Sequence, residues 1–156
     1  MEVYREVSVS KFRRVITGAI ILISLCGCAA TGELFKPGEG LPGLSSLYIY
    51  RENSWTGSAF AWDIKLDGEK VAELRRGGYF YSAIPAGRHT ISALVSRGLA
   101  LGLTTEPDRS YYVAVRSVSI FLGVVIIHKF RIEPVPESLA LYELQDMRLQ
   151  KTLKTE

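Results

Sequence analysis

Cysteine is almost missing from this chain. Among 156 residues only Cys26 and Cys28 are cysteines, one residue apart. A bridge across a single residue reaches disulfide geometry poorly, so no disulfide framework is expected and the folded part must rest on its apolar core. Histidine is as sparse. His89 and His128 are too few for a metal site that wants three or more suitable ligands, and neither metal nor cofactor is expected. Long apolar runs are missing too. Residues 15–25 and 120–127 are the greasiest stretches, and both fall short of the roughly 20 residues that cross a bilayer as a helix. No serine stands in a Gly-x-Ser-x-Gly elbow. A Ser–His–Asp set assembled from Ser82, His89 and Asp63 could be drawn from any serine-rich chain. Gly38-Glu39-Gly40 and residues 98–102 have no Lys-Ser/Thr after them and no strand–loop–helix setting, which argues against phosphate binding. These gaps lead to the expectation of a non-catalytic protein.

A strong charge bias is also lacking. The 19 basic and 16 acidic residues give +3. The first 27 residues hold four of the basic residues (Arg5, Lys11, Arg13, Arg14) and two of the acidic ones (Glu2, Glu6), leaving 15 against 14 from Cys28 onward. A nearly neutral remainder offers no electrostatic case for nucleic acid.

What is there begins with a basic head, a short apolar run (VITGAIILISL, residues 15–25) and then Leu25-Cys26-Gly27-Cys28. Positive flank, short core and small residues at the end are the layout of a signal peptide. The last four residues resemble the bacterial lipobox: an aliphatic residue, a small one, Gly or Ala, then Cys. The resemblance implies that the Cys28 thiol takes a diacylglyceryl group through a thioether. Cleavage between Gly27 and Cys28 and acylation of the new amine would follow, making the membrane a partner through lipid on Cys28. Residues 1–27 are thus expected to be a lipoprotein signal peptide. Ala29 stands where sorted lipoproteins kept at the inner membrane tend to carry Asp. The expected address is therefore the periplasmic face of the outer membrane, with the inner membrane as the alternative.

Residues 28–46 (CAATGELFKPGEGLPGLSS) are dense in Gly and Pro without a sustained period. They are expected to form a lipidated N-terminus and a flexible tether. Whether residues 34–40 dock on the domain is left open by the sequence. Residues 47–151 change to alternation with turn signals every eight to twelve residues, the pattern of a β-sandwich. Strands are expected near residues 47–51, 59–67, 70–75, 79–84, 88–96, 99–104 and 110–117. Asp67-Gly68 marks a hairpin turn. A short helix is expected over residues 136–145 and an edge strand near 147–151, with residues 152–156 frayed. The apolar run 120–127 reads as a buried strand in preference to an exposed edge, since continuous apolar runs usually fill cores. Gly123 is a place where it can bend.

Five motifs occur in order: Trp62-Asp-Ile-Lys-Leu-Asp-Gly68, Lys70-Val-Ala-Glu-Leu74, Gly78-Tyr-Phe-Tyr81, Ile84-Pro-Ala-Gly-Arg-His-Thr-Ile91 and Ser110-Tyr-Tyr-Val113. This order resembles the bacterial lipoprotein domain-of-unknown-function family 2846, over roughly residues 47–133 on the usual domain scale. It resembles PEGA-type and transthyretin-like sandwiches more loosely. The resemblance implies a mainly β protein, a single Ig-like or transthyretin-like antiparallel sandwich of about seven strands on a lipid tether. It implies no enzyme.

Tyrosines are the remaining signal. Tyr48, Tyr50, Tyr79, Tyr81, Tyr111 and Tyr112 gather in three strands, with Trp55 in a loop. Aromatics with polar tips suit glycan stacking or protein contacts, which makes Trp55, Tyr79, Tyr81, Tyr111 and Tyr112 the candidate ligand or partner face. Aromatics also simply suit strands, and that reading is preferred. The expectation is a lipid-anchored envelope lipoprotein whose sandwich serves as a structural or protein-interaction module, with an envelope protein as its partner. The alternative is a module binding glycan, peptidoglycan or lipid through the Tyr/Trp-rich face.

Overall fold

Alternating side chains bury one face of a strand, and two such sheets can close on each other. The computed structural model, which describes residues 29–54, 60–94, 98–123 and 125–150, shows this arrangement. Along the chain come β1 (Leu44–Arg51), β2 (Trp62–Leu66), β3 (Glu69–Leu74), β4 (Gly78–Pro85), β5 (Gly87–Leu94), β6 (Leu99–Thr105), β7 (Ser110–Leu122), β8 (Val125–Val135), helix α1 (Glu137–Leu144) and β9 (Arg148–Leu149). One sheet has the order β8-β7-β1-β4-β9 and the other β3-β2-β5-β6. The protein is mainly β and sandwich-like, as the alternation implied.

Between the sheets lie Leu47 and Ile49 of β1, Phe80 and Ile84 of β4, and Val113 and Val115 of β7. They meet Trp62, Ile64, Ala72, Leu74, Ile91 and Ala93 of the second sheet. Asp67 and Gly68 both take positive φ (52° and 90°), the backbone that a two-residue turn between β2 and β3 demands. Arg51, at the end of β1, is buried in this layer. Its guanidinium lies 3.6 Å from the centre of the Trp62 ring. Its Nη1 donates to the carbonyls of Phe60 (2.6 Å) and Leu74 (3.2 Å), tying the sheets together. Burial, with Arg76 nearby, lowers its pKa to about 10, so it keeps its charge at neutral pH.

Three expectations need correction. The first concerns strand direction and number. Nine strands occur among the described residues, and the sheets are not purely antiparallel: β1 pairs β7 in parallel, as β4 does β9. Alternation reports which face is buried, not which neighbour a strand takes. The second concerns the tether. Residues 29–43 lie along the five-stranded sheet: Ala29 bridges Arg76 and Leu34 bridges Arg148. Phe35 N–H donates to the Met147 carbonyl (2.8 Å). The glycines that suggested flexibility permit close approach. A Cβ on Gly32 would overlap the Leu149 carbonyl oxygen, and one on Gly38 would overlap the Tyr81 ring. Phe35 sets its ring edge-on against Tyr48 (6.0 Å) and Tyr79 (5.3 Å). Phe35→Ala is therefore expected to lower stability by about 2–3 kcal/mol, just under the roughly 3–5 kcal/mol of a buried phenylalanine truncation because the ring is only half-buried. Urea unfolding measures this, and a loss within error of zero would mean the strap contributes nothing to the fold.

The third correction concerns residues 120–127. They are not one buried strand but the two arms of the β7–β8 hairpin, reversed at Gly123 (φ 67°). β7 runs seven residues past Val115, the partner of Arg51, so the far part of the hairpin leaves the sheet behind. Phe121 is 70% exposed and Leu122, Val125 and Ile126 more than half exposed. The proline at position 134 is accommodated within β8 because that strand lies at the sheet edge.

Candidate functional site

The tyrosine-rich face is the outer face of the five-stranded sheet, and it is covered. Tyr48, Tyr50, Tyr79 and Tyr112 are buried beneath α1 and the strap. They pack with Ala114, Val135, Ala140, Leu144 and Met147. Ala140 and Leu144, four residues apart, put one stripe of α1 on the sheet. The helix has no side-chain cap, and its attachment comes from packing and from tyrosine hydroxyls. Tyr112 donates to Glu137 (3.1 Å) and Tyr50 to Glu143 (2.6 Å). Tyr48 accepts from the Gly38 N–H (2.8 Å), and Tyr81 donates to the Glu39 carbonyl (2.9 Å). Burial raises the Tyr50 and Tyr112 pKa values, the latter to about 12, with the nearby carboxylates adding to it.

The candidate aromatic face is thereby corrected. Tyr79 and Tyr112 are buried, and Tyr81 is half-buried with its hydroxyl bound to the strap. Tyr111 packs against the inter-sheet core on the opposite face. Tyr48 and Tyr112 stack at 4.9 Å, but as core. Trp55, Gly27 and Cys28 lie outside the described residues. The rings serve a third layer that no local pattern announced: strap and helix on one face of a sheet whose other face already packs on the second sheet.

Sequence reasoning missed a charge cluster at the end of β1. Arg116 Nε donates to Glu133 (2.9 Å) and Nη2 to both oxygens of Glu143 (2.9 and 2.8 Å), with Glu52 at 3.6 Å. Glu52 also accepts from the Ser117 N–H (2.7 Å). Burial would raise the Glu143 pKa, but the bonds from Arg116 and Tyr50 outweigh it and hold the carboxylate below its usual range. All four charged groups are spent on one another. Among the described residues no set of three His, Cys, Asp or Glu is arranged to hold a metal.

At the opposite end, His89 Nδ1 is 2.7 Å from Asp67 Oδ2 and Nε2 is 2.9 Å from the Pro85 carbonyl. Two acceptors suit the doubly protonated ring. The bond to Asp67 raises the His89 pKa and lowers that of Asp67, which also accepts from the Thr90 N–H. The raised histidine stabilises fully below about pH 6.5 and loses this as pH climbs through its folded pKa; the lowered aspartate stabilises above about pH 3.9 and loses this as pH falls through its own. The pair is thus strongest between these limits. His89→Gln should cost more at pH 5 than at pH 9, by up to about 1 kcal/mol. Urea midpoints at the two pH values measure this, and equal losses would mean the ring acts by packing alone.

A cleft of about 240 Å³ at this end is lined by Gly38, Leu41, Leu44, Asp108 and Arg109 among others. It is smaller than the roughly 300–1,000 Å³ of ordinary small-molecule sites. No helix among the described residues is long and apolar enough to cross a membrane.

Comparison with known proteins follows the same lines. The family described as "Protein of unknown function (DUF2846)" matches residues 42–124. An uncharacterised protein of Haemophilus influenzae is 31% identical over 110 residues, 65% of this chain and 64% of that protein. The match thus spans just under two thirds of that relative's length. No solved structure matches significantly.

Proposed function

This chain belongs to the DUF2846 family, and from that premise we propose that it is a lipid-anchored envelope lipoprotein whose sandwich is a non-catalytic structural or protein-interaction module. The observation that carries the reading is Leu25-Cys26-Gly27-Cys28 closing a short apolar run behind a basic head. A nucleophilic sulfur beside a small residue at the cut is what the thioether and the cleavage require. Several acyl chains at roughly 0.8 kcal/mol per buried methylene make an anchor that leaves very slowly. Ala29 after the modified cysteine favours the periplasmic face of the outer membrane. The polar groups described above are bound to one another, which fits a module that presents surface more than a reactive centre.

The alternative of a glycan-, peptidoglycan- or lipid-binding face rested on exposed rings; Tyr79, Tyr81 and Tyr112 lie under α1 and the strap and Tyr111 packs on the inter-sheet core, so no observation among the described residues favours it. The test is the intact mass of the protein extracted from bacterial membranes. A chain beginning at residue 28 with diacylglyceryl and acyl mass added is expected. A full-length or unmodified chain would end this reading.

A further inference from the structure

Seven residue pairs of the β7–β8 hairpin extend past Val115, the partner of the last residue of β1; Arg116 and Ser117 at its base are held by Glu52, and the outer five pairs run from Val118 with Lys129 out to Leu122 with Val125. At about 3.4 Å per residue this outer part of the ribbon projects roughly 17 Å. Its last three pairs are Ile120 with Ile127, Phe121 with Ile126 and Leu122 with Val125. Paired residues share a face and successive pairs alternate, so the tip is apolar on both faces. A ribbon made to dock on another protein's surface needs one apolar face; one apolar on both sides suits a medium that surrounds it.

The position of Ala29, next to the cysteine that carries lipid in the reading above, says which medium. Ala29, the immediate neighbour of Cys28, bridges Arg76, and the Ala30 N–H donates to the Arg76 carbonyl (3.1 Å). Arg76 and Gly77 precede β4, whose Tyr79 pairs with Tyr50 at the end of β1. This is the end from which the hairpin projects. Because the strap is docked along the sheet, the anchor end and the apolar tip face the same way. Lys129, exposed on β8 two residues behind the apolar pairs, supplies positive charge at the depth of anionic head groups. Phe60 and Leu94, 73% and 62% exposed, lie at the same end, beside Trp62 and Asp63 at the start of β2.

We propose that the β7–β8 hairpin tip inserts into the leaflet that carries the Cys28 lipid, so that the sandwich stands end-on as a two-point anchored body. This rests on the lipoprotein reading above. Penetration is shallow. The outer edges of a two-stranded ribbon keep unpaired backbone groups, which hydrocarbon does not tolerate. The three apolar pairs match an interfacial depth of about 5–10 Å.

The experiment uses the lipidated full chain purified from membranes and reconstituted in phosphatidylethanolamine–phosphatidylglycerol vesicles carrying lipids spin-labelled at a shallow acyl position. If Cys28 is acylated and Cys26 removed, the protein has no free thiol, so Phe121→Cys and Ile126→Cys each take a single environment-sensitive fluorophore. Leu41→Cys, exposed at the opposite end, serves as the control. The probes at 121 and 126 are expected to shift to the blue and lose at least half of their emission to the quencher, with the probe at 41 unchanged. Probes at 121 and 126 quenched no more than the one at 41 would overturn the proposal, whether the tip then meets water or another protein. A reactive thiol in the unsubstituted protein sinks the lipoprotein reading by itself. The hairpin is then decided with Phe121→Cys in a Cys26→Ser/Cys28→Ser background, where the probe at 121 is again the single label, by whether it is still quenched on the same vesicles.

Discussion

Arg116→Met is expected to lower stability by about 2–4 kcal/mol at neutral pH, somewhat under the full penalty for breaking a buried ion pair because the cluster keeps some contact with water. The guanidinium lies within 3.6 Å of Glu52, Glu133 and Glu143, and its side chain is 20% exposed. Methionine fills similar volume and leaves three carboxylates facing one another. Part of the loss should return in the double variant Arg116→Met/Glu143→Gln. The amide oxygen can still accept from the Tyr50 hydroxyl while one negative charge is gone. Urea unfolding of the four proteins gives the coupling directly. Strictly additive losses would mean the cluster is not one unit.

The pH dependence provides a second check with a definite sign. In the native protein the Glu143 pKa is held below its unfolded value. Its stabilisation is therefore present above about pH 4.3 and lost as pH falls through the lowered folded value. Without the guanidinium, the burial that raises the Glu143 pKa is opposed only by the Tyr50 hydroxyl, and the variant should regain stability relative to the native protein as pH falls toward 4–5. The two profiles diverge at neutral pH and converge in acid.

Cys28→Ser is expected to abolish the mature lipidated species altogether. A hydroxyl does not form the thioether, and without it the cleavage after Gly27 has no substrate. Mass spectrometry of cell fractions should find only full-length chain without lipid mass, held, if at all, through its uncleaved head. Each acyl chain removed takes with it roughly 0.8 kcal/mol for every methylene that was buried. A Cys28→Ser protein that was still processed and still carried lipid would contradict the assignment. Comparing this variant with the hairpin variants separates the two contacts: one acts on covalent processing, the other on the depth at which the domain rests.

Much of this protein was written in local pattern. The lengths and flanks of residues 1–28 carried the anchoring proposal without any coordinates. Alternation in β2, β4 and β7, and the positive φ that Asp67-Gly68 needs, fixed a sandwich and most of its strand positions. The PESLALYELQ stretch foretold α1. These are properties of a residue and its near neighbours, which is why they can be read along a line.

Tertiary structure decided the rest. Tyr79, on an alternating strand, is equally suited to meet solvent, ligand or a helix; only the packing of α1 and the strap across the sheet makes it core. Gly32 and Gly38 signal freedom in a sequence and contact in a fold, because what forbids a Cβ there is Leu149 or Tyr81, each more than 40 positions away. The apolar run at 120–127 has the composition of a core strand, yet Gly123 folds it back on itself and β1 ends too early to support it. Burial depends on which strand lies alongside, and sequence distance carries no record of that.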